Sequence, residues 1–131
     1  MTLVYPIAAA SLCAIIEFIR IMRSWGALNV NKLWTITIGV IFFIICLSLS
    51  VGYYDEIWPY HVIIYGIYFA SCRAIVYDIQ LNILRGLPLD YRSQTTNSKH
   101  DKLTANINFW AVKGFYLFLG ILSGYLCQRL R

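Results

Sequence analysis

The sequence predicts an all-α fold, a four-helix transmembrane bundle, on three observations. Hydrophobic residues make up 60% of the 131 positions. Charged residues reach only 13%, about half the ~25% of a soluble domain. The apolar residues also fall into four long segments, each of a length that crosses ~30 Å of hydrocarbon at ~1.5 Å per residue. Four such spans take up about eighty residues, so the expected organisation is one integral membrane domain over residues 1–131.

The first segment, residues 3–22, has no Lys or Arg ahead of its apolar run. It therefore lacks the charged lead of a cleavable signal and reads as a retained helix. Ala10, Ala14 and Glu17 follow one another at helical spacing, so a small-residue face leads directly to the acid. The second segment, residues 33–51, has no charge at any position and presents Thr35, Gly39, Phe42, Cys46 and Ser50 on one face. The third, residues 58–84, is longer than a span requires, and its last turns from Asp78 to Arg85 are expected to project as helix. Gly86 followed by Pro88 is the expected stop. Its packed face reads Trp58, His61, Tyr65, Tyr68 and Cys72. The fourth, residues 107–127, aligns Lys113, Gly120, Gly124 and Cys127, with Gly120 and Gly124 forming a G-x-x-x-G step that admits a close backbone.

Lys and Arg counting sets the expected orientation. The loops over residues 23–32 and 86–106, with their flanks, carry Arg23, Lys32, Arg85, Arg92, Lys99 and Lys102, whereas the loop over residues 52–57 carries Asp55 and Glu56. The positive-inside rule places the first two in the cytoplasm and both termini outside. Ten tyrosines, among them Tyr5, Tyr53, Tyr54, Tyr60 and Tyr125, suit aromatic belts at the span ends. The formal net charge of +5 is scattered along loops rather than stacked with aromatics, which points to anionic lipid and away from nucleic acid.

With that topology Glu17, Arg73 and Lys113 lie at one depth, ~8 to 9 Å inside the cytoplasmic boundary, with Arg20 and Asp78 nearer the interface. A charge in hydrocarbon costs ~2.5 to 3.5 kcal/mol, so such residues pair or serve a pathway. Glu17 is expected to take Arg73 or Lys113 as its partner. Asp78 and Asn82, beside Arg85, read as a polar network at a helix end.

Cys13, Cys46, Cys72 and Cys127 stand singly, one per segment, and read as small apolar fillers; no spacing suggests zinc. No nucleophile, carboxylate pair or Gly-rich phosphate cradle is legible, so neither enzymatic activity nor a cofactor is expected. In outline the chain resembles the small multidrug resistance transporters, four-helix proteins of similar length with an acid in the first helix, here Glu17. It departs from that family in the third helix, Tyr68-Phe69-Ala70-Ser71-Cys72-Arg73. Phage holins offer a second resemblance, in size and number of spans. The leading expectation is a channel or transport protein that uses the charged cluster and associates with copies of itself. The rival is a non-catalytic accessory or assembly subunit of a larger membrane complex, with the charges structural.

Overall fold

A computed structural model describes residues 4–23, 32–51, 59–92, 104 and 106–129, without the side chains of 32–35, 50 and 51. Everything described is helix or short connection, with no strand. The helices are α1 (Val4–Arg23), α2 (Lys32–Val51), α3 (Pro59–Leu84) and α4 (Phe109–Arg129). Residues 24–31 and 52–58, Trp58 among them, and most of the polar loop, including Lys99 and Lys102, lie outside the described residues.

Local chemistry explains the helix limits. Asn108 caps α4: its Oδ1 accepts the Trp110 N–H at 2.8 Å and its carbonyl accepts the Val112 N–H at 3.1 Å. The helix therefore starts at Phe109, two residues later than expected from the apolar run, and continues to Arg129 rather than ending at Cys127. At the end of α3 the Leu87 N–H reaches the Asn82 carbonyl at 2.9 Å and the Gly86 N–H reaches Ile83 at 3.0 Å. These two bonds form a Schellman closure, and it requires the left-handed conformation that Gly86 adopts at φ 66°. The expected glycine stop is thus realised, with Pro88 just beyond it.

The chain passes up and down so that the late parts of α1 and α3 lie beside the early parts of α2 and α4. α3 is the central helix and packs extensively on both α1 and α4. α2 lies mainly against α1 and touches α3 more lightly, so the four helices are not equivalent. The apolar core at the end remote from the charges contains Ala9, Cys46, Tyr65, Phe69 and Cys127. Phe43 of α2 meets the Phe69 ring edge-on at 5.4 Å, and the Tyr65 hydroxyl donates to the Cys46 carbonyl at 3.3 Å, tying α3 to α2.

Small residues make the α3–α4 contact close. A Cβ built on Gly120 would stand 3.4 Å from the Cβ of Ser71. Both interfacial serines satisfy their hydroxyls within their own helices, Ser71 on the Ile67 carbonyl at 2.8 Å and Ser123 on Leu119 at 2.6 Å. Polar atoms are thereby satisfied without holding the backbones apart. Ala10, Ala14, Gly120 and Gly124 are all buried, as are all four cysteines, which are free thiols.

The outward faces are apolar. Ile44, Ile63, Phe115, Phe118 and Ile121 are each more than half exposed, a surface that hydrocarbon covers without cost and water does not. α1, α3 and α4 are long and apolar enough to cross a membrane, and the apolar stretch described in α2 runs over Ile36–Leu49. Three of the four expected spans therefore meet the requirement of length and composition.

Candidate functional site

The charged residues of the helices gather at the end where α1 and α3 finish and α2 and α4 begin. Glu17, buried on α1, accepts two hydrogen bonds from Arg20, Nε to Oε2 at 3.1 Å and Nη2 to Oε1 at 2.6 Å. This replaces the expected pairing with Arg73 or Lys113. Residues three apart on one helix need no tertiary assembly to meet, and the planar guanidinium matches both carboxylate oxygens at once. Arg20, one turn nearer the helix end, keeps part of its side chain in contact with the surroundings while neutralising the buried acid.

Arg73 occupies a different niche. Its guanidinium lies flat against α2 at Gly39, where an added Cβ would come within 2.6 Å of Nη1 and 3.0 Å of Cζ. The Tyr77 ring, one turn further along α3, stands 5.5 Å from the guanidinium carbon. A glycine on one side and an aromatic face on the other give a cation a seat that side-chain bulk at position 39 would fill. Arg73, Glu17, Cys13, Ile38 and Tyr77 surround a cavity of about 10 Å³, at the lower limit of the room that one water needs.

Lys113 joins α4 to α3. Its ammonium donates to Asp78 Oδ2 and to the Ala74 carbonyl, and it stands 4.9 Å from the centre of the Phe109 ring. The pair is asymmetric: the Lys113 side chain is 7% exposed and that of Asp78 44%. Asp78 thus turns toward Lys113 rather than joining Asn82. Asn82 instead donates through Nδ2 to the carbonyls of Leu89 and Tyr91, both at 3.0 Å, and folds the following segment back onto the helix end. Arg85 lies 5.9 Å from the Tyr91 ring.

The five charged residues singled out from sequence therefore sit at one end of the bundle, but as separate units. One is the Glu17–Arg20 fork, a second is the Lys113–Asp78 link, and the third is Arg73 in its seat. Sequence reasoning missed Gly39 and Tyr77 as the walls of that seat. Tyr77 was accessible from its i+4 spacing to Arg73, whereas Gly39 required knowing which part of α2 faces α3. His61 is buried with its ring 4.3 Å from that of Tyr60.

Among the described residues no three His, Cys, Asp or Glu side chains gather as a metal site would require. Two of the three units hold buried charge by pairing it with an opposite charge, and the third seats a guanidinium against a glycine and an aromatic ring. No protein family matches the chain, and comparison with curated proteins and with solved structures likewise finds no significant match.

Proposed function

We propose that the chain is a membrane-embedded, non-catalytic accessory or assembly subunit in which the charged residues are structural. The observation that carries this reading is the division of the cluster into two ion pairs, Glu17–Arg20 and Lys113–Asp78, and an arginine seated between Gly39 and Tyr77, with a cavity of only about 10 Å³ beside Glu17 and Arg73. A pathway for ions or solutes needs charge facing a hydrated lumen. Here Lys113 is spent on an acid and a backbone carbonyl, and Glu17 is held by both oxygens. The Lys113 link favours fixing α4 to α3 over permeation, and the Glu17 fork neutralises the acid within α1. The apolar outward faces suit lipid, and they equally suit the helices of other membrane subunits.

Two measurements on the purified chain test the proposal together. Native mass spectrometry of gently solubilised membranes is expected to find it with other membrane polypeptides, and liposomes holding the chain alone are expected to show no ion or solute flux above empty ones. A symmetric homo-oligomer whose flux disappears in Asp78→Asn at unchanged thermal stability would replace this reading with a channel or transporter.

A further inference from the structure

The segment joining α3 to α4 carries two arginines that neither ion pair absorbs. Arg85 lies on the Tyr91 ring at 5.9 Å, and Arg92 lies 5.3 Å from the Phe109 ring while also donating to the Thr104 carbonyl. Among the described residues neither guanidinium is joined to a carboxylate, whereas Arg20 and Lys113 at the same end are. Their positions are fixed by the backbone. The Schellman closure at Gly86, the two Asn82 bonds to Leu89 and Tyr91, and the Tyr91 N–H on the Pro88 carbonyl at 2.9 Å hold residues 85–91 against the end of α3. The Arg92 bond to Thr104 carries the same order across to the approach of α4.

Exposed apolar side chains neighbour these cations along the chain. Ile83 and Leu84 on the last turn of α3, Leu89 in the connecting segment and Trp110 on the first turn of α4 are all exposed. A rim that is cationic, aromatic and greasy at once matches the boundary between headgroups and acyl chains, where Trp and Tyr sit at headgroup level and arginine meets phosphate. A soluble anion would engage the arginines but would leave the isoleucine, leucines and tryptophan in water.

We propose that this rim is a binding surface for anionic phospholipid, with Arg85 and Arg92 as its phosphate-contacting groups. A guanidinium beside a ring keeps N–H groups to donate, in Arg92 those other than the Nη1 bond to Thr104, and the planar fork suits phosphate oxygens. Preorganisation by Tyr91 and Phe109 lowers the side-chain entropy lost on contact. The inference rests on the membrane-embedded reading but not on whether the charged pairs are structural.

The test uses the full chain in nanodiscs made from phosphatidylcholine alone or mixed in equal parts with phosphatidylglycerol. Native mass spectrometry after release into neutral detergent counts the lipid of each class that stays bound. Retention of phosphatidylglycerol over phosphatidylcholine is expected, falling about fivefold in Arg85→Gln and again in Arg92→Gln, the equivalent of the ~1 kcal/mol that one basic residue contributes at an anionic surface. Arg129→Gln, at the opposite end of α4, is expected to leave retention unchanged. Inorganic phosphate at the same charge concentration is not expected to displace the lipid. Equal retention of the two lipids by the unaltered chain would overturn the proposal even if no arginine variant folds, as would an equal loss in Arg129→Gln, which would reduce the effect to net charge. Displacement by inorganic phosphate would overturn it in favour of a soluble anion. Failure of the chain to enter nanodiscs of either kind would instead overturn the membrane-embedded reading.

Discussion

At the scale of single residues, the two ion pairs differ in where their desolvated charge lies. In the α3–α4 link the buried partner is the cation, and Asp78 retains contact with the surroundings. Asp78→Ala therefore leaves an ammonium among helices with only the Ala74 carbonyl and the Phe109 ring for compensation, at a cost of ~3 kcal/mol. Lys113→Met removes the buried charge itself and leaves a carboxylate that can hydrate, so a loss of about 1 kcal/mol is expected. Reversible unfolding in mixed detergent micelles measures both, and the double variant is expected to track Lys113→Met; equal losses would contradict the asymmetry. The two interfacial glycines differ in the same local way. Gly39→Ala is expected to push the Arg73 guanidinium off its seat and lower stability by about 1 kcal/mol, because the added methyl would meet Nη1 at 2.6 Å. Gly120→Ala meets only the Ser71 Cβ at 3.4 Å and is expected to change stability by less than about 0.5 kcal/mol.

At the scale of elements, the unequal packing of the helices has a dynamic consequence. α3 is held from two sides, while α2 rests mainly on α1 and reaches α3 through the Phe43–Phe69 ring contact, the Tyr65–Cys46 bond and the Gly39 contact. Amide hydrogen exchange in micelles is expected to be faster across Ile36–Leu49 than across the middle of α3, and Tyr65→Phe should widen the gap; uniform protection would show that α2 is held by more than these contacts. The end of α3 is specified just as locally. Gly86→Ala places a side chain at positive φ and is expected to cost ~1 kcal/mol, read as a drop in the unfolding midpoint. The glycine and proline announced this end in the sequence because helix termination is decided within a few residues. The Asn108 cap is equally local, yet the apolar run beginning at Ile107 hid it, since hydropathy marks where a chain is greasy and not where its first helical N–H groups are satisfied.

At the scale of the whole molecule, the positive-inside rule places Asp90 and Arg129 on opposite sides of a membrane. The native cysteines are buried, so they give little background to an impermeant thiol reagent applied to intact cells. Asp90→Cys is expected to stay unlabelled from outside and Arg129→Cys to label; the opposite pattern would invert the topology. In the orientation that this labelling tests, the proposed rim would face the cytoplasmic leaflet, which is the anionic one where such asymmetry exists.

Periodicity alone determined much of the interior. Spacing puts Ala10, Ala14 and Glu17 on α1 and Lys113, Gly120, Gly124 and Cys127 on α4 on packed faces, and each is buried; of the faces that it groups on α2 and α3, Gly39, Cys46, His61, Tyr65, Tyr68 and Cys72 are buried and Phe42 is half-buried. Helical phase is a property of one segment, and a face that is small or polar in an otherwise apolar helix has to meet protein. Spacing also brought the charges to one level, because the rise per residue fixes how far each lies from the end of its own span. Only the tertiary structure decided who pairs with whom. Glu17 chose Arg20 on its own helix over Arg73 or Lys113, Lys113 chose Asp78, and Arg73 settled between Gly39 and Tyr77. Those choices depend on the rotation and separation of neighbouring helices at the level of a few ångströms, and the strength of an ion pair in a medium of low polarity changes steeply over that distance.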